Sequence, residues 1–460
     1  MAGSAGKKKT AAQLVEDEEY QLRHERVAGI DVAKAKGDVC VRLPPAPGRV
    51  RRQSRVWEVP ATVPEIAALA GELLGDGVEL VSMESTGDYW RVWYYVLEAA
   101  GLKVQLVSSS QTRQLKGRPK TDRKDAQWIA RLTETGMLRP SFVPPAEIRE
   151  LRDWTRARLH LVHDRTAEWQ RLEKLLEGAL VKLSSVVSAL AGNKTARKIV
   201  EALIEGERDP QKLAGLALGP LRGKRRELAA ALEGAVFGAH HARLARMHLD
   251  RIDALDRHVK ALDDEIAACL EAIPGAWGVT GDGVPSPDPG QGAPVLAAAE
   301  RLAEIPGMSL PAAMAVIAET GLDMSRFPTA AHLVSWAGLA PSARQSGARS
   351  RKPGKGQGNA YLRGYCTRAA NGAAKTDTFL GARLRRLSKR IGGARARCAV
   401  GRSILVIVWH LLKDPAARYA DLGADWHERK TDRDKKVRSH LRQLRALGVV
   451  IPFSDPQAAA

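Results

Sequence analysis

The sequence predicts a multidomain protein of the α/β plus α class, a mixed sheet unit followed by long helices. Three observations predict it. Short β-type runs alternate with apolar-periodic helical stretches between residues 26 and 134. Beyond Pro144-Pro145 the apolar positions Ile148, Leu151, Trp154, Trp169, Leu172, Leu175 and Leu176 recur at helical spacing among many Arg and Glu residues. At 460 residues the chain is also too long for one ordinary compact domain.

Residues 1–24 read as a polar arm, carrying Lys7-Lys8-Lys9 and then Glu16-Asp17-Glu18-Glu19. The sheet unit, residues 25–145, starts with three β-type runs in sequence: Val27 to Val32, Asp38 to Leu43 and Ser54 to Val59. A helix from about Val63 to Leu74, a strand from Glu79 to Met83, a helix from about Tyr89 to Ala100 and a strand from Lys103 to Val107 follow, and another helix begins near Asp122. The order βββαβαβα matches an RNase H-like (RuvC-like) architecture, a mixed sheet in which acids at strand ends and on the last helix converge on one edge.

Residues 146–278 form a helical region with an inserted segment. Its second long helix places Ile252, Leu255, Val259, Leu262, Ile266 and Cys269 at alternating spacings of three and four, a short heptad seam. The two helices make either an antiparallel, coiled-coil-like hairpin within the chain or a pairing with another subunit. Between them residues 190–240 are Ala/Leu/Gly-rich and helical in composition, and residues 279–298 are a linker dense in Gly, Pro and Asp.

Residues 299–420 are a mostly helical C-terminal domain with helices over Ala312 to Thr320 and Ala330 to Ala337. Its start, Ile305-Pro306-Gly307, is like a helix-hairpin-helix module, whose backbone amides meet a DNA phosphate, and equally like a plain helix-helix turn. Residues 421–460 are a basic tail with a helix from Trp426 to Arg445.

Charge narrows the partner. Lys and Arg number 72 against 52 acids, a net charge of +20, which favours a polyanion through counterion release and steering. Nucleic acid is the leading candidate. The sequence has no 18-residue apolar run and no signal-type apolar region, so the expectation is a soluble, cytoplasmic protein with no membrane partner. Cys40, Cys269, Cys366 and Cys398 lie far apart, which indicates neither a zinc knuckle nor a disulfide framework. The run Gly219 to Lys224 imitates a phosphate-binding loop but is one residue short and lacks a Ser or Thr after the Lys. His240, His241 and His248 sit in an Arg-rich helix without a Cys or a helically spaced acid to complete a metal site.

The chemistry rests on four acids. Asp31 ends the first strand in Gly29-Ile30-Asp31, Glu84 ends the fourth in Ser82-Met83-Glu84, and Asp122 and Asp125 stand three apart at a helix start. Carboxylate oxygens are the ligands Mg²⁺ prefers, with Mn²⁺ an alternative, and four such acids on one edge cannot stay ionised together without cations between them. Two ions roughly 3.5–4 Å apart would hold the attacking and leaving oxygens of a phosphodiester in line. Taken singly, Asp122 and Asp125 also look like ordinary acids of a helix first turn.

The strings Gly29-Ile30-Asp31-Val32-Ala33-Lys34, Met83-Glu84-Ser85-Thr86-Gly87 and Lys120-Thr121-Asp122-Arg123-Lys124-Asp125-Ala126 resemble those of the DEDD insertion-sequence transposases, the bridge-RNA-guided recombinases. The resemblance continues through Ile305-Pro306-Gly307 and Trp336-Ala337-Gly338-Leu339-Ala340-Pro341 to Gln345-Ser346-Gly347. It covers about residues 26–180 and 250–415, leaving the first 25 residues, the segment 185–245 and the last 45 outside.

The resemblance implies a DNA recombinase that acts on element ends and target, a guide RNA, a dimer or tetramer, and Ser346 as nucleophile. The implied reaction is transesterification: the Ser346 hydroxyl attacks a DNA phosphate, the phosphoserine link conserves the bond energy, and a hydroxyl of another strand displaces the serine without ATP. Ser342 and Ser350 are competitors, and without the resemblance Ser346 beside Gly347 reads as a turn residue.

From Arg344 to Arg402 there are 16 Lys or Arg and one acid, Asp377. Arg344, Arg349, Arg351, Lys352, Lys355, Arg363, Arg385 and Arg386 are the candidate phosphate contacts, against the plainer reading of a solvated basic face. Aromatics are 5% of the chain and form no RNA-recognition signature, so the guide RNA rests on the resemblance alone. Two other functions fit the same residues: a structure-specific nuclease using water as nucleophile, and a non-catalytic nucleic-acid-binding remnant.

Overall fold

The computed structural model describes residues 22–85, 87–108, 122–279, 285–286, 296–340, 344–346, 349–351, 358–429 and 433–448. The chain divides into two compact units, the first ending at Val143 and the second starting at Pro144.

In the first unit β1 (Val27–Val32), β2 (Lys36–Pro45) and β3 (Arg52–Pro60) form an antiparallel meander. Helix α1 (Val63–Gly75) leads to β4 (Leu80–Glu84), and α2 (Trp90–Ala99) to β5 (Val104–Val107). β4 pairs parallel to β1 and β5 parallel to β4, as the crossover helices require. Helix α3 (Asp122–Glu134) comes next, and the two-residue β6 (Pro140–Ser141) closes the sheet antiparallel to β5. The sheet order is β3-β2-β1-β4-β5-β6, the RNase H-like arrangement expected, with β6 an edge too short to have left a sequence signal.

Alternation along the strands sorts the two faces. Ile30, Val32, Val39, Val41, Val81 and Met83 pack with Ile66, Leu69 and Leu73 of α1 and Trp93 and Leu97 of α2. On the opposite face Cys40 packs with Ala126 and Ala130 of α3. Gly29 is the point of closest approach, since a Cβ there would lie 2.4 Å from the Ala130 nitrogen and 2.6 Å from the Ala126 carbonyl oxygen.

The second unit is built on two helices of 33 residues each, α4 (Ala146–Gly178) and, further along the chain, Ala239–Glu271. Neither is interrupted by Pro or by an interior Gly before Gly178, so each propagates at full length. Arg158 pairs with Asp263, Arg165 with Asp256, and Glu168 with His248 and Arg251; partner numbers fall as α4 numbers rise, so the helices run antiparallel. Within the chain the two helices form an antiparallel hairpin. Ile252, Val259 and Ile266 are buried, and Leu255, Leu262 and Cys269 are half-buried.

The segment between the helices caps one end of the hairpin. It comprises α5 (Lys194–Glu205), α6 (Pro210–Gly215) and α7 (Arg225–Leu232), with the second long helix then α8 (Ala239–Glu271). Asn193 accepts from the Ala196 amide and Asp209 from the Gln211 amide, two side-chain N-caps. Ile199, Leu203, Leu228, Leu232 and Phe237 of the cap share one core with Leu172 and Leu176 of α4 and Leu249 and Ile252 of α8.

After β7 (Gly278–Val279) and β8 (Pro285–Ser286), which pair with each other, come α9 (Ala298–Ala303), α10 (Leu310–Thr320) and α11 (Ala330–Trp336). A hairpin of β9 (Arg344–Ser346) and β10 (Arg349–Arg351) precedes α12 (Ala360–Ala373), α13 (Phe379–Ile391) and α14 (Gly393–Lys413). α14 carries Val400, Ile404, Leu405, Val408 and Leu412 into the core. The tail contains α15 (Trp426–Arg429) and α16 (Arg433–Ala446), with the residues between them outside the described ones.

Gly307 has φ of +82°, and a Cβ there would lie 2.1 Å from the Ala369 carbonyl oxygen. Backbone packing against α12 therefore accounts for the glycine in Ile-Pro-Gly, as in the plain-turn reading. Among the described residues no helix is long and apolar enough to cross a membrane.

Candidate active site

The first unit brings the strand acids to one place. Asp31 is two residues beyond Gly29 on β1 and Glu84 two beyond Ser82 on β4, so both share the face that meets α3. Ser82 confirms that facing, because its Oγ accepts from Thr133 Oγ1 of α3 at 2.7 Å. The parallel pair Ile30 and Met83 sets Asp31 and Glu84 side by side at the same end of adjacent strands. Both acids are half-buried, as is Asp125.

The direction of α3 completes the geometry. Its last residue, Glu134, takes Arg42 Nη2 at 3.0 Å, and Arg42 is the cross-strand partner of Val27 at the far end of β1. Its middle, Ala126 to Ala130, lies over Gly29. The helix thus begins at the Asp31 and Glu84 end, where its backbone delivers Asp122 and Asp125, three residues apart and on one helical face.

A fifth acid, Asp38, was not singled out in the sequence. It is Asp31's antiparallel partner, 6% exposed, and Arg123 Nε of α3 lies 3.8 Å from its Oδ1. The signal was available in the β-hairpin itself. Closing β1 and β2 around Lys34 and Ala35, with the Ala33 amide on the Lys36 carbonyl at 2.9 Å, places residue 31 opposite residue 38.

Two carboxylates directly opposite each other on one sheet face are destabilising unless cations lie among them. Glu84 and Asp125 stand at the same half-open sheet end, and carboxylate oxygen is the donor type that Mg²⁺ or Mn²⁺ selects over softer metals, although these side chains are not gathered into a preformed metal-binding group.

In the second unit Ser346 is the last residue of β9, paired with Arg349 at the turn end of the β9–β10 hairpin. Arg344 pairs with Arg351, and the competitor Ser350 with Gln345. Ser342, Lys352 and Lys355 lie outside the described residues.

The base of this excursion is pinned. A Cβ on Gly358 would lie 2.4 Å from the Gly338 nitrogen, so the returning chain crosses the departing one in backbone contact. Asn359, next in line, caps α12 by accepting from the Leu362 amide at 3.0 Å and donates through Nδ2 to Glu319 Oε2. Glu319 is 1% exposed and takes Arg156 Nε at 2.8 Å and Nη2 at 3.0 Å, while Arg152 Nη2 donates to its carbonyl oxygen at 2.8 Å. Arg156 also lies 4.2 Å over the Tyr361 ring. Burial pulls the Arg156 guanidinium down, but the Glu319 carboxylate outweighs it and holds the group above the ordinary arginine value. The only sequence trace of this cluster is the four-residue spacing of Arg152 and Arg156 on one helix face.

The other basic candidates divide. Arg363 is half-buried in α12. Arg385 Nη1 donates to the carbonyls of Ala374 at 2.9 Å and Thr376 at 3.0 Å, and Arg386 Nη2 lies 3.3 Å from His427 Nε2. His248, which lacks an acid on its own helix, meets Glu168 across the helix pair at 2.8 Å. Cys40 and Cys366 are buried, Cys269 half-buried and Cys398 exposed, all with free thiols. Among the described residues no three His, Cys, Asp or Glu side chains form a preformed metal-binding group.

With the RNase H-like sheet and its strand-end acids described, family comparison gives the class of protein: a transposase. Residues 28–181 match the IS110-type DEDD transposase family, and residues 299–385 match the transposase IS116/IS110/IS902 family. The chain belongs to the IS110-type DEDD transposases and is an enzyme of DNA transposition. Among solved structures, RuvC of Thermus thermophilus is similar at 19% identity over 25% of this chain and 99% of that one, with a TM-score of 0.21. T. thermophilus RuvC in complex with a Holliday junction substrate is similar at 21% identity over 26% of this chain and all of that one, with a TM-score of 0.20. No curated protein matches the chain.

Proposed function

We propose that the protein breaks and rejoins DNA strands by metal-dependent transesterification, with Asp31, Glu84, Asp122 and Asp125 as the metal-holding quartet and Ser346 as nucleophile. The observation that carries the reading is the shared sheet end of Asp31 and Glu84, onto which α3 delivers its first turn. Bound there, Mg²⁺ or Mn²⁺ would supply Lewis-acid stabilisation of a phosphodiester under attack. The quartet would bind and orient, and Asp38 with Arg123 would fix the pitch of the helix start.

Ser346 would form an ester to the DNA phosphate as the strand's leaving oxygen departs as a hydroxyl, and an incoming strand hydroxyl would restore the free serine. The Arg344, Arg349 and Arg351 positions of the same hairpin would hold the strand's phosphates, with Lys352, Lys355, Arg363, Arg385 and Arg386 extending that surface. The guide RNA and the dimer or tetramer follow from the family resemblance and belong to this proposal. So does the domain division, in which a nuclease-like domain at 25–145 and a serine-bearing domain at 299–420 are joined through the helical region.

Labelled element-end DNA, the chain co-expressed with its flanking noncoding DNA, and Mg²⁺ should yield a detergent-resistant protein-DNA adduct. The adduct should vanish in Ser346→Ala and in Asp31→Ala. Free cleaved DNA without an adduct in either the wild type or Ser346→Ala would replace this reading by a water-nucleophile nuclease. The place of Ser346 at a hairpin turn is the observation on that side.

A further inference from the structure

The C-terminal part of the second unit contains a cleft of about 540 Å³ between α13, α14 and the segment 417–422. Phe379, Val406, Ile407 and Leu422 give it apolar walls, and Arg383 and Arg402 give it charge. The matched family segment ends at 385, so most of the cleft lies beyond it.

Three features of this cleft call for an anion with an attached flat, apolar body. Among the described residues no carboxylate pairs with Arg383 or Arg402, and the Nε of Arg383 is shut off from solvent without a hydrogen-bond partner. Burial, together with the like charges of Arg386 and Arg402, lowers the pKa of Arg383, so an anion at this point would relieve a crowded set of cations. Arg418, at the opposite rim, is neutralised by Glu304.

The aromatic wall is held rigidly. Phe379 meets Trp426 edge-on with ring centres 5.1 Å apart and His427 at 5.2 Å, and its amide donates to Asp421 Oδ1 at 3.1 Å. Rigid aromatic faces beside arginines are the platform on which proteins stack unpaired bases. The volume falls in the range of about 300–1,000 Å³ common for ligand pockets.

We propose that this cleft takes one nucleotide of a DNA strand, the base displaced from its stack onto Phe379, Val406 and Ile407 and the phosphate on Arg383 and Arg402. The chain belongs to a family of DNA transposases, so a DNA strand is the source of nucleotide this cleft is expected to meet. Extruding a nucleotide is a way to hold a distorted duplex in register during strand exchange. The inference rests on the chain's action on DNA and is independent of the Ser346 chemistry.

The test uses the full chain and two labelled DNA duplexes, each with a single-nucleotide bulge, one bulge bearing its base and the other abasic, with binding read by fluorescence anisotropy. The two probes carry the same phosphates, so their difference isolates the base. The base-bearing probe should bind about five- to tenfold tighter. Ile407→Trp or Val406→Trp, each filling the cleft, should erase that difference, with helical circular dichroism checking the fold.

Arg383→Gln with Arg402→Gln should weaken both probes and flatten the salt dependence by about two counterions. Ser346→Ala should keep the base preference, which separates failure of this site from failure of the serine mechanism. Equal binding of the two probes, a base preference that survives the filled cleft, or tighter binding of the matching ribonucleotide bulge overturns the proposal.

Discussion

The helical unit and the strand ends of the sheet use carboxylates in opposite ways. In the helical unit Glu168 and Glu319 are each 1% exposed and surrounded by basic side chains: Arg171, His248 and Arg251 for the first, Arg152 and Arg156 for the second. In the sheet unit Asp31, Glu84 and Asp125 are half-exposed at the end of a sheet. A buried acid ringed by protein cations is a fastener whose removal is felt in folding. Half-exposed acids proposed to hold a cation at the end of a sheet should instead, when removed, be felt in chemistry.

The largest expected effect tests the chemical half of that contrast. Asp31→Asn or Glu84→Gln should lower the rate of strand cleavage on the order of 10³-fold, about 4 kcal/mol of barrier, with an unchanged melting profile. A variant that melts early would move these acids into the fastener class.

Glu319→Ala should do the reverse. It leaves the half-buried Arg152 and Arg156 without their carboxylate and should destabilise the second unit by about 3–5 kcal/mol, read in urea unfolding followed by a probe placed in that unit. Adduct formation per folded molecule should also fall, because Asn359 then loses its anchor at the base of the serine hairpin.

Gly29→Ala sharpens the comparison by moving α3 without touching an acid. The new methyl has 2.4 Å to the Ala130 nitrogen, so the helix must shift, at about 1–3 kcal/mol and with loss of cleavage. Normal cleavage in a destabilised Gly29→Ala protein would mean that the helix start does not set the site.

The smallest effect is in pH. Burial raises the Glu168 carboxyl, but the hydrogen bond from His248 and the charges of Arg251 and Arg171 outweigh it and hold it below the ordinary glutamate value of 4.5. Folded Glu168 therefore binds its proton more weakly than unfolded Glu168. Its stabilisation is complete above 4.5 and disappears as pH falls through the lowered folded value. Denaturation midpoints of the wild type should fall over that acid window, and those of Glu168→Gln should fall less.

The sheet unit was legible in the sequence because each of its main strands buries one face, so the period-2 signal is strong. The observed boundaries of β2 and β3 extend the expected ones by one or two residues at each end. The positions of the four proposed acids at strand and helix ends were legible from the periodicity of their elements. Asp38 was not, because its importance comes from the residue opposite it rather than from its neighbours in the chain. The Glu319 cluster joins three segments separated by up to 207 positions, from Arg152 to Asn359, and no local pattern encodes such a meeting. The choice between an internal hairpin and a pairing of subunits was open for the same reason: a heptad seam specifies an apolar stripe and not which stripe faces it.

The α4–α8 hairpin has one more consequence. From Arg156 to its capped end α4 is an uninterrupted rod of roughly 33 Å, fastened near its start by Glu319 and carrying the helical cap at its other end. Such a rod is a lever: each degree of tilt about the Glu319 fulcrum sweeps the cap by roughly half an ångström. Whatever grips the cap therefore gains mechanical advantage over the foundations of the serine hairpin.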